Sequence, residues 1–172
     1  MEKAATMLSS VNTLSQRGNY PFVQFRVTPN GTISTKFISK GMDATSLSIK
    51  LNNAQTIECN TSSGSYWDNN QVDETTKKIS THISKDGAVC FSKDGSYFKA
   101  HGTLKNNLNV TVENRSTNQY LILCTTSNAS NGGKCPLDQG GGLEKPAYLV
   151  EWTRFGNISK FKWSGSDWTR QN

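Results

Sequence analysis

The 172-residue sequence is poor in both apolar and charged residues, with a hydrophobic fraction of 34% and a charged fraction of 19%. It has no run of about 18 apolar residues, which excludes a membrane-spanning helix within these residues. It has no sustained heptad repeat, which excludes a coiled coil. With two histidines and no CxxC or GxSxG motif, it also lacks the usual signals of zinc, thioredoxin-like and hydrolase chemistry.

Neutral polar residues make up for the small numbers of apolar and charged residues. The chain contains 20 Ser, 18 Thr and 17 Asn, about a third of its length, together with 16 aromatic residues that argue against disorder. The net charge is +6 without a dense Lys/Arg run, which predicts a basic soluble surface with weak attraction to polyanions. This composition is typical of an extracellular β-rich domain.

Four cysteines stand at positions 59, 90, 124 and 135. An even number without metal-ligand spacing predicts two structural disulfides in an oxidising compartment. Four cysteines allow three pairings, and the sequence leaves the choice open. We expect Cys59–Cys90 and Cys124–Cys135. The second pair closes the loop TTSNASNGGK, which is too polar to be ordered without a covalent link.

Residues 2–17 predict one amphipathic helix. Its apolar residues recur at helical spacing on one face, namely Ala4, Met7, Leu8, Val11 and Leu14. Gly18 follows as a C-terminal stop signal. This helix lacks an N-cap. The expected disulfides imply that the protein is exported, yet the sequence shows no signal peptide. We therefore expect the natural chain to extend further at its N-terminus.

The rest of the chain predicts strands and turns. Predicted strands cover 20–28, 32–39, 46–51, 55–59, 78–83, 88–91, 97–100, 108–113, 119–124, 147–154 and 158–163, with 78–100 as a three-stranded meander. Asn30-Gly31 predicts a type I′ hairpin turn. Residues 60–76 and 125–146 are expected to be loops, and Trp168 to lie in a short tail. The expected fold is α+β: helix 1–18 packed on the antiparallel β-sheets of a globular domain, 19–172.

No constellation of residues predicts catalysis. His82 and His101 lack a nucleophile or base partner, and Asp86 and Asp94 each precede Gly in a tight turn. The Gly140-Gly141-Gly142 run is not followed by the Lys-Ser/Thr of a phosphate-binding loop, and no Asx spacing fits a calcium loop. We therefore expect neither an enzyme nor a metal or cofactor site.

Two groups of residues are candidates for ligand binding. The first group is the four tryptophans, which could form a platform for sugars or bases, namely Trp67, Trp152, Trp163 and Trp168. Tryptophans are more often anchors of the core. The cations near the last hairpin form a thin patch for nucleic acid, and they are Arg154, Lys160, Lys162 and Arg170. Lys160 and Lys162 share one strand face.

The order of elements resembles a known family. The opening helix EKAATMLSSVNTLSQRG, the hairpin VCFSKDG at 89–95, the strand YLILC at 120–124 and the closing AYLVEWTRFGNI at 147–158 resemble the minor pilins of type IV pili, of the FimU/FimT kind. These are related to the GspH-like pseudopilins of type II secretion. The opening helix would match the second half of the pilin helix.

The resemblance implies a structural role in filament assembly. The missing first half of the helix would anchor the protein in the inner membrane and then pack among neighbouring major and minor pilins. Ala4, Leu8, Val11 and Leu14 would be its packing residues on the helix present here, with the first three lying partly on the β domain. The protein would be exported, passing from inner membrane and periplasm to the pilus at the bacterial cell surface.

Two alternatives remain open on the sequence. One is an extracellular adhesin or carbohydrate-binding module that uses the tryptophans. The other is a DNA-binding minor pilin for DNA uptake, with the last-hairpin cations and Trp168 as contacts. DNA-uptake members carry Gly-Arg-x-Arg in the final hairpin, whereas this chain has Gly156-Asn157-Ile158-Ser159. The resemblance therefore favours a role in filament assembly over specific DNA binding.

Overall fold

The computed structural model describes residues 2–18, 20–30, 34–42, 71–83, 85–92, 98–102, 119–125, 134–136, 143–153 and 157–172, with the single residues 45, 48, 59, 67 and 155. One helix comes first, α1 (Glu2–Gln16). The strands follow in chain order as β1 (Phe22–Asn30), β2 (Ser34–Met42), β3 (Gln71–Lys77), β4 (Ser80–Thr81), β5 (Gly87–Ser92), β6 (Phe98–Gly102), β7 (Tyr120–Cys124), β8 (Ala147–Trp152), β9 (Ile158–Trp163) and β10 (Trp168–Gln171).

The strands form two five-stranded antiparallel sheets. Sheet 1 has the order β3-β2-β1-β5-β6, and sheet 2 has the order β10-β9-β8-β7-β4. One helix on antiparallel sheets is the expected α+β class. In the described part of the chain no helix is long and apolar enough to cross a membrane.

The helix forms where its apolar spacing predicts it. Its core-facing side chains are almost fully buried, and they are Ala4, Ala5, Met7, Leu8 and Val11. The Gly18 amide donates to the Ser15 carbonyl at 3.0 Å, and Gly18 has a φ of +79°. That left-handed conformation is inexpensive only for glycine, so Gly18 ends the helix as its position predicts.

Sheet 1 is built around the β1–β2 hairpin. Val23, Phe25 and Val27 alternate along β1 and are all fully buried, as predicted. Asn30 pairs with Ser34 as the last residue of β1, whereas the Gly31 of the expected type I′ turn lies outside the described residues. The returning strand is described from Ser34 onward, and positions 32 and 33 of the predicted strand also lie outside the described residues.

The loop expected over 60–76 is wrong at its C-terminal end, where β3 pairs with β2. Its sequence QVDETTK has no apolar alternation, and five of its side chains are exposed. Main-chain hydrogen bonding to β2, and not burial, makes this segment a strand. Ser48, the described residue of the predicted strand 46–51, is helical, so that prediction is wrong at this position.

The predicted meander divides between the two sheets. β5 pairs with β6 as expected, but β4 pairs with β7 in sheet 2, with Ser80 opposite Cys124. The expected tail is also wrong, because residues around Trp168 form β10 and pair with β9. The predicted strand 108–113 and most of 55–59 lie outside the described residues.

The helix and both sheets share one core. Its largest members come from all three units and include Leu8, Phe25, Phe37, Phe91, Leu121 and Trp152. A smaller cluster on the far face of sheet 1 contains the Cys59–Cys90 disulfide, and another on the far face of sheet 2 contains Cys124–Cys135. Both expected disulfides are therefore present, one behind each sheet.

Candidate functional site

The two faces of α1 have different surroundings. Ala4, Leu8 and Val11 are at most 1% exposed and pack inside the chain's own core. They hold the helix to its sheets and leave no surface for a neighbour. Of the four residues expected to serve packing, only Leu14 is half-buried and reaches the outside.

A groove of about 600 Å³ runs between the outer face of α1 and strand β9. Most of its lining comes from the helix, and the lining residues are Glu2, Ala5, Thr6, Ser9, Ser10, Thr13, Leu14, Arg17, Ile158 and Lys160. The helical members are mainly small residues with hydroxyl groups. Such short side chains allow a second segment to approach the helix backbone closely.

Charged residues stand at both ends of this groove. Near the start of α1, the Lys160 ammonium lies 3.4 Å from the Glu2 carboxylate. Arg17 lines the groove at the other end of the helix, about 22 Å away at a rise of 1.5 Å per residue. The Glu2 side chain is 70% exposed, so this ion pair is screened by solvent and its contribution to stability is small.

Sequence reasoning missed this groove because it followed the apolar positions of the helix. The signal was present in the complementary set Thr6, Ser9, Ser10 and Thr13, which recurs at spacings of three and four. A helix that buries one face and carries small hydroxyl residues on the other has a second face available for close packing.

The basic candidates do not form one patch among the described residues. Lys162 pairs with Thr169 and Lys160 with Gln171, whereas Arg170 pairs with Phe161. Directly opposed residues in an antiparallel pair share a face, so Arg170 lies on the opposite face of sheet 2 from the two lysines. Arg154 lies outside the described residues.

All four tryptophans are buried, with exposures of 1%, 3%, 3% and 6% for Trp67, Trp152, Trp163 and Trp168. Trp163 and Trp168 pack against each other with ring centroids 5.1 Å apart, and the Trp163 indole donates to the Leu143 carbonyl at 2.9 Å. None of these rings presents a face to a sugar or a base. The tryptophan platform on which the carbohydrate hypothesis depended is absent.

His82 has a structural position. Its Nδ1 accepts the Ile122 backbone N–H at 3.1 Å, and its ring stacks on Tyr120 with centroids 5.2 Å apart. The imidazole thereby extends the pairing of β4 with β7. Among the described residues, no three His, Cys, Asp or Glu side chains come together as a metal site.

The described residues therefore define a disulfide-containing α+β domain in which α1 packs on two antiparallel sheets. Comparison of the chain with protein-family models, curated proteins and solved structures found no match.

Proposed function

We propose that this chain is a minor pilin or pseudopilin, a subunit that takes part in assembling a type IV pilus or a related type II secretion filament. Its activity is subunit contact, not catalysis. The observation that carries the proposal is the two-sided helix: Leu8 and Val11 fasten α1 to its own sheets, while Ser9 and Ser10 line an open groove beside β9.

The chain order supports the same proposal. A helix comes first, two antiparallel sheets follow, and the chain closes with the β8–β9 hairpin and β10. The resemblance to GspH-like proteins rests on this order. In the proposed assembly, the groove receives part of a neighbouring pilin while the buried face keeps the helix and the β domain together as one unit.

The two disulfides fit an extracellular or periplasmic protein, because such bonds persist in oxidising compartments. We place the protein in the inner membrane and periplasm before assembly and on the bacterial surface afterwards. The anchoring segment belongs to the proposal: the gene should encode, upstream of Glu2, a short basic leader ending in Gly and then an apolar stretch of about twenty residues. A gene without that stretch would remove the pilin proposal.

Deleting the gene from the bacterium that carries it should abolish surface pili or secretion filaments, counted by electron microscopy. Complementation then tests the groove. Ser10→Trp should fail to restore filaments because the indole fills the space beside β9, whereas Thr76→Trp should restore them. Thr76 is exposed and pairs with Lys36 on the face of sheet 1 that points away from α1.

The outcomes separate two questions. Normal filaments after deletion would contradict the proposed function itself. Filaments lost on deletion but restored by Ser10→Trp would keep the filament role and show that the contact lies elsewhere. Equal thermal unfolding of both variants and the parent chain is the control for folding.

A further inference from the structure

Each described sheet has two edge strands, β3 and β6 in sheet 1 and β10 and β4 in sheet 2. Two of these edges, β3 and β10, share a local feature. An edge strand directs main-chain N–H and C=O groups outward, where they can pair with a strand of another molecule. Both strands carry exposed side chains, and neither contains proline. Each edge does have one aspartate in an unusual local geometry.

In β3, the Asp73 carbonyl accepts a hydrogen bond from the Ser39 hydroxyl of β2 at 3.5 Å. This carbonyl therefore points into the sheet. The Asp73 C=O and the Glu74 N–H belong to one trans peptide and point in opposite directions. The Glu74 N–H must then point to the outer edge, and it donates to the carboxylate Oδ1 of Asp73 at 2.8 Å.

Strand β10 has the same arrangement at its start. The Asp167 carbonyl accepts the Ser164 N–H at 2.8 Å across the β9–β10 turn, so the Trp168 N–H of that peptide points the other way. This N–H donates to the carboxylate Oδ1 of Asp167 at 2.7 Å. Both aspartates are exposed, so each carboxylate lies on the side from which another strand would approach.

We propose that Asp73 and Asp167 are edge caps that prevent β3 and β10 from pairing with a strand of another molecule. Each carboxylate occupies an outward N–H that an incoming strand would need as a donor. To pair there, the strand would have to displace the hydrogen bond that already satisfies this N–H. This inference is independent of the pilin proposal, since it depends only on the two sheet edges.

The test is self-association of the variant Asp73→Ala/Asp167→Ala, measured by sedimentation velocity over a concentration series. Removing two acids raises the net charge from +6 to +8, so general repulsion predicts weaker association. Edge capping predicts the opposite change, a self-association at least about tenfold tighter than that of the parent chain. A tenfold change corresponds to about one hydrogen bond gained per interface.

The control is Asp73→Asn/Asp167→Asn, which keeps an acceptor oxygen but removes the charge. Association in the alanine variant alone supports capping. Equal association in both variants would assign the protection to charge and overturn capping, as would no association in either.

Amide hydrogen exchange gives a second readout within the monomer, and it applies equally to single variants if the double variant does not fold. The Glu74 and Trp168 amides should exchange faster in the alanine variants and keep the parent rate in the asparagine variants. Unchanged exchange of both amides in the alanine variants would overturn the proposal.

Discussion

Replacing Leu8 with alanine tests whether α1 is part of the domain's core. Leu8 is fully buried among residues of the helix and both sheets. Its truncation removes about three methylene-sized groups, or roughly 2.4 kcal/mol of transfer free energy. The cavity left behind adds to this, so the expected loss in the free energy of unfolding is about 3 to 4 kcal/mol.

Leu14→Ala is the matched control on the same helix. Leu14 is half-buried at the groove and can exchange its lost contacts for water. It leaves no closed cavity, so we expect a loss of only about 1 kcal/mol. The chemistry of the two substitutions is identical, and the helix propensity change is the same, so their difference isolates burial in the core.

The assay is urea unfolding at 25 °C with the disulfides intact, followed through the fluorescence of the four buried tryptophans. Thermal unfolding should agree, with a melting temperature for Leu8→Ala lower by roughly 6 to 16 °C at this chain length. A Leu8→Ala loss below about 1 kcal/mol, or no larger than that of Leu14→Ala, would show that α1 does not share the core.

Three further predictions concern single features. Gly41→Val should destabilise the fold by about 2 kcal/mol, because its Cβ would overlap the Tyr20 ring; an unfolding curve that coincides with the parent's would contradict this. Replacing the Cys124–Cys135 disulfide, which spans 11 residues, with two serines should cost about 3 kcal/mol in chemical unfolding, and a loss below about 1 kcal/mol would contradict it. Glu2→Gln should change stability by less than about 0.5 kcal/mol, since its ion pair is exposed, and a larger salt-sensitive loss would show that the pair is stronger than its exposure implies.

The sequence predicted those elements whose side-chain pattern matches burial. Val23, Phe25 and Val27 alternate because one face of β1 contacts the core. The spacing of Leu8 and Val11 predicted α1 for the same reason. In each case the periodicity of the apolar residues carries both the type of element and the face that it buries.

The errors arose where pairing, and not burial, determines the structure. β3 has almost no apolar side chains, so local pattern gives no reason for a strand until β2 is beside it. Ser80 and Thr81 are polar, and their membership of sheet 2 depends on Cys124 and Leu123, which are more than 40 residues away in the chain. Long-range hydrogen-bond partners of this kind are not encoded in local periodicity.

The strand β10 had a local signal that was overlooked. The stretch Ser164-Gly165-Ser166-Asp167 between Trp163 and Trp168 is rich in turn residues. It joins β9 to β10, with Trp163 directly opposite Trp168. An aromatic residue on each side of a four-residue turn predicts a hairpin, and this signal would have placed Trp168 in a strand paired with β9 instead of in a short tail.

The candidate site was harder to predict than the fold because it consists of the face of α1 that is not buried in the core. The apolar positions of α1 identify the face that the chain uses for itself, and the fully buried Leu8 is therefore unavailable to a partner. In the proposed assembly, a partner that binds this helix would contact the complementary face with its small hydroxyl residues, bounded by β9 and the charges of Glu2, Lys160 and Arg17. For a helix shared between a core and an assembly, the residues that bind a neighbour should be sought opposite the strongest apolar stripe.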